Sequence, residues 1–142
     1  MTFASIVAAA GPAIQTPYLE EKNRMALTFN QIISAWGKCM NEKDPSEIKN
    51  FLADDFAWHS AVPEHKAPAD DKADKDETIA FTLGTDIRIG DFNTIYDGND
   101  VVSGTHSAII DGKEKVVFCQ GILTDGGTKV KLWRHLIGDY PE

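Results

Sequence analysis

Residues 87–137 read IRIGDFNTIYDGNDVVSGTHSAIIDGKEKVVFCQGILTDGGTKVKLWRHLI, and three aspartate-glycine pairs punctuate them fourteen residues apart: Asp97-Gly98, Asp111-Gly112 and Asp125-Gly126. The runs between and beside them, Ile87 to Tyr96, Asp100 to Ile110, Lys115 to Thr124 and Thr128 to Ile137, read as strands. Tight hairpin turns need positive φ angles, which Asp-Gly supplies because glycine carries no Cβ. Three such turns in series predict a four-stranded antiparallel meander.

The sequence upstream reads as helix. Thr16-Pro17 is a plausible start, with Thr16 as N-cap and proline at the first helical position. Met25, Phe29, Ile32, Ile33, Trp36 and Met40 then recur at three- and four-residue steps, one apolar face of a long helix. Asp44-Pro45-Ser46-Glu47 has capping-box spacing and opens a short second helix with Ile48, Phe51 and Leu52 as its apolar residues. Phe56 to Ala61 is a short strand, and Val62 to Ala73, with its prolines and charges, reads as a loop that could lie over a pocket mouth. Asp74 and Glu77 repeat the capping spacing and Gly84 is a natural stop, so Lys75 to Leu83 forms a third helix. The expected class is α+β, with three N-terminal helices on a curved antiparallel sheet made of the short strand and the meander. Residues 1–22 are an N-terminal extension and the start of the first helix, 23–139 the domain, and 140–142 a tail.

A chain of 142 residues is long enough for one domain with a sizeable core. Its net charge of −8 argues against nucleic acid or an anionic membrane as partner. Cys39 and Cys119 lie in different elements without metal-ligand spacing, and read as buried small hydrophobes in a reducing compartment. The apolar start, Met1 to Ile14, lacks a basic n-region and is broken at Gly11-Pro12, unlike a secretory signal. A cytoplasmic protein is expected. The four histidines sit on different elements with no carboxylate at ligand spacing, so no metal site is expected, and no organic-cofactor motif is present.

The element order, with EKDPSEI at 42–48 followed by FLADDF at 51–56 and the closing Leu132-Trp133-Arg134-His135, resembles the nuclear transport factor 2-like superfamily. The resemblance is nearest to its SnoaL-like and ketosteroid-isomerase-like branches and covers roughly Met25 to Asp139. It implies a sheet curled around the helices into a cone with a mostly apolar pocket. It places Ser60, Trp36 and Gly121 where ketosteroid isomerases carry their base, tyrosine donor and acidic donor. All three depart from that pattern, so isomerisation by the usual residues is not expected.

The register implied by the resemblance, with strand alternation, turns Phe56, Trp58 and Ser60 inward, then Gly104, His106 and Ala108, then Val117, Cys119 and Gly121, then Trp133, His135 and Ile137. Small residues opposite large ones would leave room for a ligand. His106 and His135 are the candidate proton-transfer groups, since imidazole is poised near neutral pH and dehydratases of the superfamily use paired strand histidines. Ser60 would orient the ligand, and Trp36, Trp58 and Trp133, with Cys119 and Gly121, would line its pocket. His59 and Arg134 alternate outward, as do Val101, Ile109, Val116, Phe118, Ile122, Leu132 and Leu136, an apolar outer face that predicts a homodimer. The functional expectation is a small-molecule isomerase, cyclase or dehydratase. The alternative is a non-enzymatic ligand-binding or dimerisation module of the same fold, its cavity closed by its own side chains and its sheet surface serving assembly.

Overall fold

Thr28 begins the first helix of the computed structural model, which describes residues 25–141. Its hydroxyl accepts from the Gln31 N–H at 3.1 Å, and the Gln31 side chain accepts from the Thr28 N–H at 2.9 Å. This reciprocal box satisfies two of the donors that a helix start leaves open. Helix α1 therefore spans Phe29–Glu42. Met25 precedes it and is 83% exposed, so it does not belong to the apolar face expected of it. The Thr16-Pro17 start and the extension over residues 1–22 lie outside the described residues.

Lys43, at φ 59°, ends α1 in the left-handed region. Helix α2 (Ser46–Phe51) follows without the expected capping box: Asp44 accepts from the Ser46 N–H at 3.1 Å and hydroxyl at 2.7 Å, while Glu47 pairs with Lys38 at 3.2 Å. Proline at the cap position leaves Asp44 one residue too early to reach the Glu47 amide. Those two bonds hold the Asp44 carboxyl below its ordinary range, with Lys38 adding to the effect.

Strand β1 (Leu52–Ser60) starts four residues earlier than expected. A single 3₁₀ turn, Glu64–Lys66, and a short strand β2 (Lys72–Asp74) replace part of the predicted loop. Helix α3 (Lys75–Gly84) opens on the expected box between Asp74 and Glu77. The meander follows as β3 (Arg88–Asp97), β4 (Val101–Ile110), β5 (Lys113–Thr124) and β6 (Lys129–Asp139).

The six strands form one sheet in the order β2-β1-β6-β5-β4-β3. It is mixed rather than wholly antiparallel, because β1 runs parallel to β6, with Trp58 opposite Trp133 and Ser60 opposite His135. Hairpins force antiparallel pairing only between consecutive strands. The link from β1 to β6 passes through α3 and four strands, so no turn dictates its direction.

The second and third aspartate-glycine turns use positive φ as expected, at Asp111 and Gly112 (52° and 79°) and at Asp125 and Gly126 (55° and 71°). The first does not: Gly98 has no positive φ, and its N–H donates to Val101 O across a wider connection. Asp97 serves α1 instead, its Oδ1 accepting from the Phe29 N–H at 2.7 Å. A carboxylate at that end also meets the positive end of the helix dipole.

The core lies between α1 and the inner sheet face. Phe29, Ile32, Ile33, Trp36 and Cys39 pack against Val102, Val117, Cys119, Val130 and Trp133, while Ile48 and Leu52 close one end. Phe29 stacks on Trp133 with centroids 6.0 Å apart and planes 13° from parallel. Both rings fit because of glycines: a Cβ at Gly104 would stand 2.4 Å from the Phe29 ring, and one at Gly121 would stand 2.7 Å from that of Trp133. The space opposite these small residues is thus filled by aromatic rings and not left for a ligand.

Replacing Asp97 with alanine should lower stability by about 0.5–2 kcal/mol, the usual loss for a helix cap. Chemical denaturation read by circular dichroism measures it; an unchanged midpoint would mean the aspartate is only a turn residue.

Candidate functional site

On the α3 side of the Phe29–Trp133 stack the sheet and helices leave a cavity of about 280 Å³. Ile33, Trp36 and Met40 reach it from successive turns of α1, the spacing that puts them on one face. Thr78, Phe81 and Thr82 reach it from α3, and Trp58, His106, Val117, Trp133 and His135 from the sheet. Among the described residues Asp70 and Lys72 are its only charged lining groups, and both are exposed. The two threonine hydroxyls are already engaged, Thr78 donating to Asp74 O at 2.7 Å and Thr82 to Ile79 O at 2.9 Å. Among the described residues the two imidazoles and the Trp36 indole Nε1 are the polar groups left free.

His106 is buried at 9% exposure on β4, opposite Val117 of β5. Its Nδ1 lies 2.9 Å from Ser107 O. A carbonyl oxygen can only accept, so the neutral ring carries its proton on Nδ1 and Nε2 keeps a bare lone pair. Among the described residues no protein group hydrogen-bonds that Nε2. Burial lowers the His106 pKa, partly offset by the Ser107 carbonyl.

His135, on β6, stands opposite Cys119 on one side and Ser60 on the other. Its ring meets Trp58 edge to face, centroids 4.8 Å apart and planes at 89°. Burial is the main force lowering its pKa to about 4; the neighbouring His106 adds to it, and Asp71 opposes it. Both rings are neutral at pH 7.

Of the other residues singled out in the sequence, Trp36, Trp58 and Trp133 line the cavity, while Ser60, Cys119 and Gly121 do not. The Ser60 hydroxyl donates to Asp71 Oδ2 at 2.8 Å, and its N–H reaches the same oxygen at 3.2 Å. The Cys119 thiol is 1% exposed and pushed up to about 12 by burial, which makes it inert, with a hydrogen bond from Trp133 acting against that shift. Trp36 carries the one buried side-chain polar atom without a partner among the described residues, its indole Nε1. Asp71 was missed because Asp70-Asp71-Lys72 reads as a solvated charge run. Only the pairing of β1 with β2 and β6 brings it near His135. Among the described residues there is no group of three or more His, Cys, Asp or Glu arranged for a metal, and no helix long and apolar enough to cross a membrane.

The depressed His135 pKa has a consequence for stability. Its folded value near 4 lies below the ordinary 6.5, so the unfolded chain binds the proton more tightly. Stability is then full above about pH 6.5 and falls as the pH drops toward 4, by on the order of 3 kcal/mol for a shift of this size. Melting temperatures over that range should fall for the native protein and less steeply for His135→Asn; equal slopes would place the effect elsewhere.

No family model matches the chain, and no curated protein matches it either. Solved structures do. An NTF2-like protein of unknown function from Cytophaga hutchinsonii superposes with a TM-score of 0.59 at 10% identity, over 80% of this chain and 92% of that one. A candidate ketosteroid isomerase from Kribbella flavida gives 0.60 at 12% identity, over 78% of each chain. Wild-type IdmH from Streptomyces antibioticus, a candidate polyketide cyclase, gives 0.55 at 15% identity, over 76% of this chain and 90% of that one. At such identities the likeness concerns architecture alone, and this protein has the NTF2-like fold.

Proposed function

We propose that the protein binds a small, largely apolar molecule in this cone-like cavity and moves a proton on it, as an isomerase, cyclase or dehydratase does. The observation that carries the reading is the pair of neutral imidazoles in an apolar enclosure, His106 with its Nε2 lone pair unclaimed by the described protein groups. His106 acts as the base. His135, neutral and braced by Trp58, donates a hydrogen bond to the oxygen on which charge develops, the role a neutral histidine can fill when its pKa is depressed. The similar structures include a candidate isomerase and a candidate cyclase, which supports small-molecule chemistry without naming a substrate.

A suitable assay is proton exchange at the activated methylene of 2-tetralone in deuterated buffer, followed by NMR. The native protein should accelerate exchange, and His106→Asn should reduce the acceleration by about 10²–10⁴-fold, the range for a lost general base. Exchange no faster than in buffer would remove the acid–base reading and leave a binding module.

The outer sheet face supports a second proposal. Ile109, Phe118 and Leu136 are 44%, 52% and 52% exposed there, with Phe118 directly opposite Leu136. A homodimer would cover them. Sedimentation at micromolar concentration should give twice the chain mass of 15.6 kDa, and Phe118→Lys should give the monomer; a monomeric native protein overturns the proposal.

A further inference from the structure

Among the described residues the cavity offers one bare acceptor of fixed tautomer beside the ring N–H of neutral His135, and no charged group deep inside, and that restricts what can enter. His106 Nε2 is an acceptor by the tautomer its neighbour imposes, and it points to no described protein donor. The threonine hydroxyls have spent their protons on Asp74 O and Ile79 O. Apart from His135, the rest of the deep wall is hydrocarbon or aromatic: Ile33, Ala108, Val117, Trp133 and Trp36, whose indole Nε1 has no partner among the described residues. Asp70 and Lys72 are at the exposed rim, where water screens them.

From this arrangement we propose that the ligand is an uncharged ring compound of one or two rings, bearing a hydroxyl of phenol or enol type that donates to His106 Nε2. The inference deepens the acid–base reading of the same cavity and rests on it for the site, though not for turnover. Three physical arguments meet in it. A ligand group lacking a proton to donate shields Nε2 from water and leaves it without a partner, which is unfavourable. A carboxylate would put its own lone pairs against that lone pair, and among the described residues no cation lines the deep wall to compensate for its desolvation. A volume of about 280 Å³ is at the small end for ligand pockets, and the flat faces of Trp36 and Trp133 suit a planar body.

The test compares three molecules of nearly equal shape by NMR titration, with the tryptophan indole signals as reporters. They are 2-naphthol, 2-fluoronaphthalene and 2-naphthoate. The native protein should bind 2-naphthol about tenfold or more tightly than 2-fluoronaphthalene, as one buried hydrogen bond allows, and 2-naphthoate most weakly. His106→Phe, which cannot accept, should bring 2-naphthol down to the affinity of 2-fluoronaphthalene while leaving the latter unchanged. If 2-fluoronaphthalene or 2-naphthoate binds the native protein as tightly as 2-naphthol, or if His106→Phe keeps the preference, the proposed ligand class is wrong. If none of the three binds, the class and the cavity reading fall together. A naphthol preference without tetralone exchange would keep the class and remove only the catalysis.

Discussion

The stack of Phe29 on Trp133 is the contact on which the rest of the molecule depends. It joins the first turn of α1 to the last strand, and it is possible only because Gly104 and Gly121 have no Cβ where the rings lie. Trp36 then lies one turn or two further along the helix, tilted against Trp133 and Phe56 at 6.4 Å from each. These rings divide the interior in two. On one side the helix and sheet close into a solid core. On the other they are held apart, and the cavity is what remains between α1, α3 and the sheet.

That division also sets the electrostatics. The two histidines sit at the edge of a packed aromatic layer, where water is scarce and a charged imidazole is poorly solvated. Their neutrality follows from packing rather than from any partner. Asp71, whose carboxylate Ser60 holds through two hydrogen bonds, counters it only in part. A ligand entering the cavity therefore meets imidazoles as hydrogen-bonding groups first and as proton carriers second.

Much of the meander was legible in advance. Asp111-Gly112 and Asp125-Gly126 fold as tight turns demand, and the alternation they impose puts His106, Val117, Cys119 and Trp133 on one face. The β5–β6 register does shift, between Ile122 and Leu123, but the pairing from Lys115 with Asp139 through Cys119 with His135 to Ile122 with Leu132 is unbroken. Local chemistry was read less well where two residues could do the same job. Thr28 and Gln31 carry the capping-box spacing and cap α1, ahead of which Thr16-Pro17 had offered a competing start, and Asp44 has the spacing of a capping box without forming one. Asp97 looked like turn chemistry and proved to be a helix cap 68 residues away in sequence. Such a contact has no signature along the chain.

By itself the sequence determined the α+β class, the third helix, the four meander strands and the alternation of their side chains, because turns, caps and periodicity act over a few residues. Only the tertiary structure decided the parallel pairing of β1 with β6, which no local turn controls, and the strand β2, whose three residues are too few to carry a pattern. It also decided which small residues make space and which merely receive a ring: Gly104 and Gly121 are filled by Phe29 and Trp133, while the open volume lies beside His106 and His135. Alternation says which face a side chain is on. What it meets there depends on the layer packed across from it.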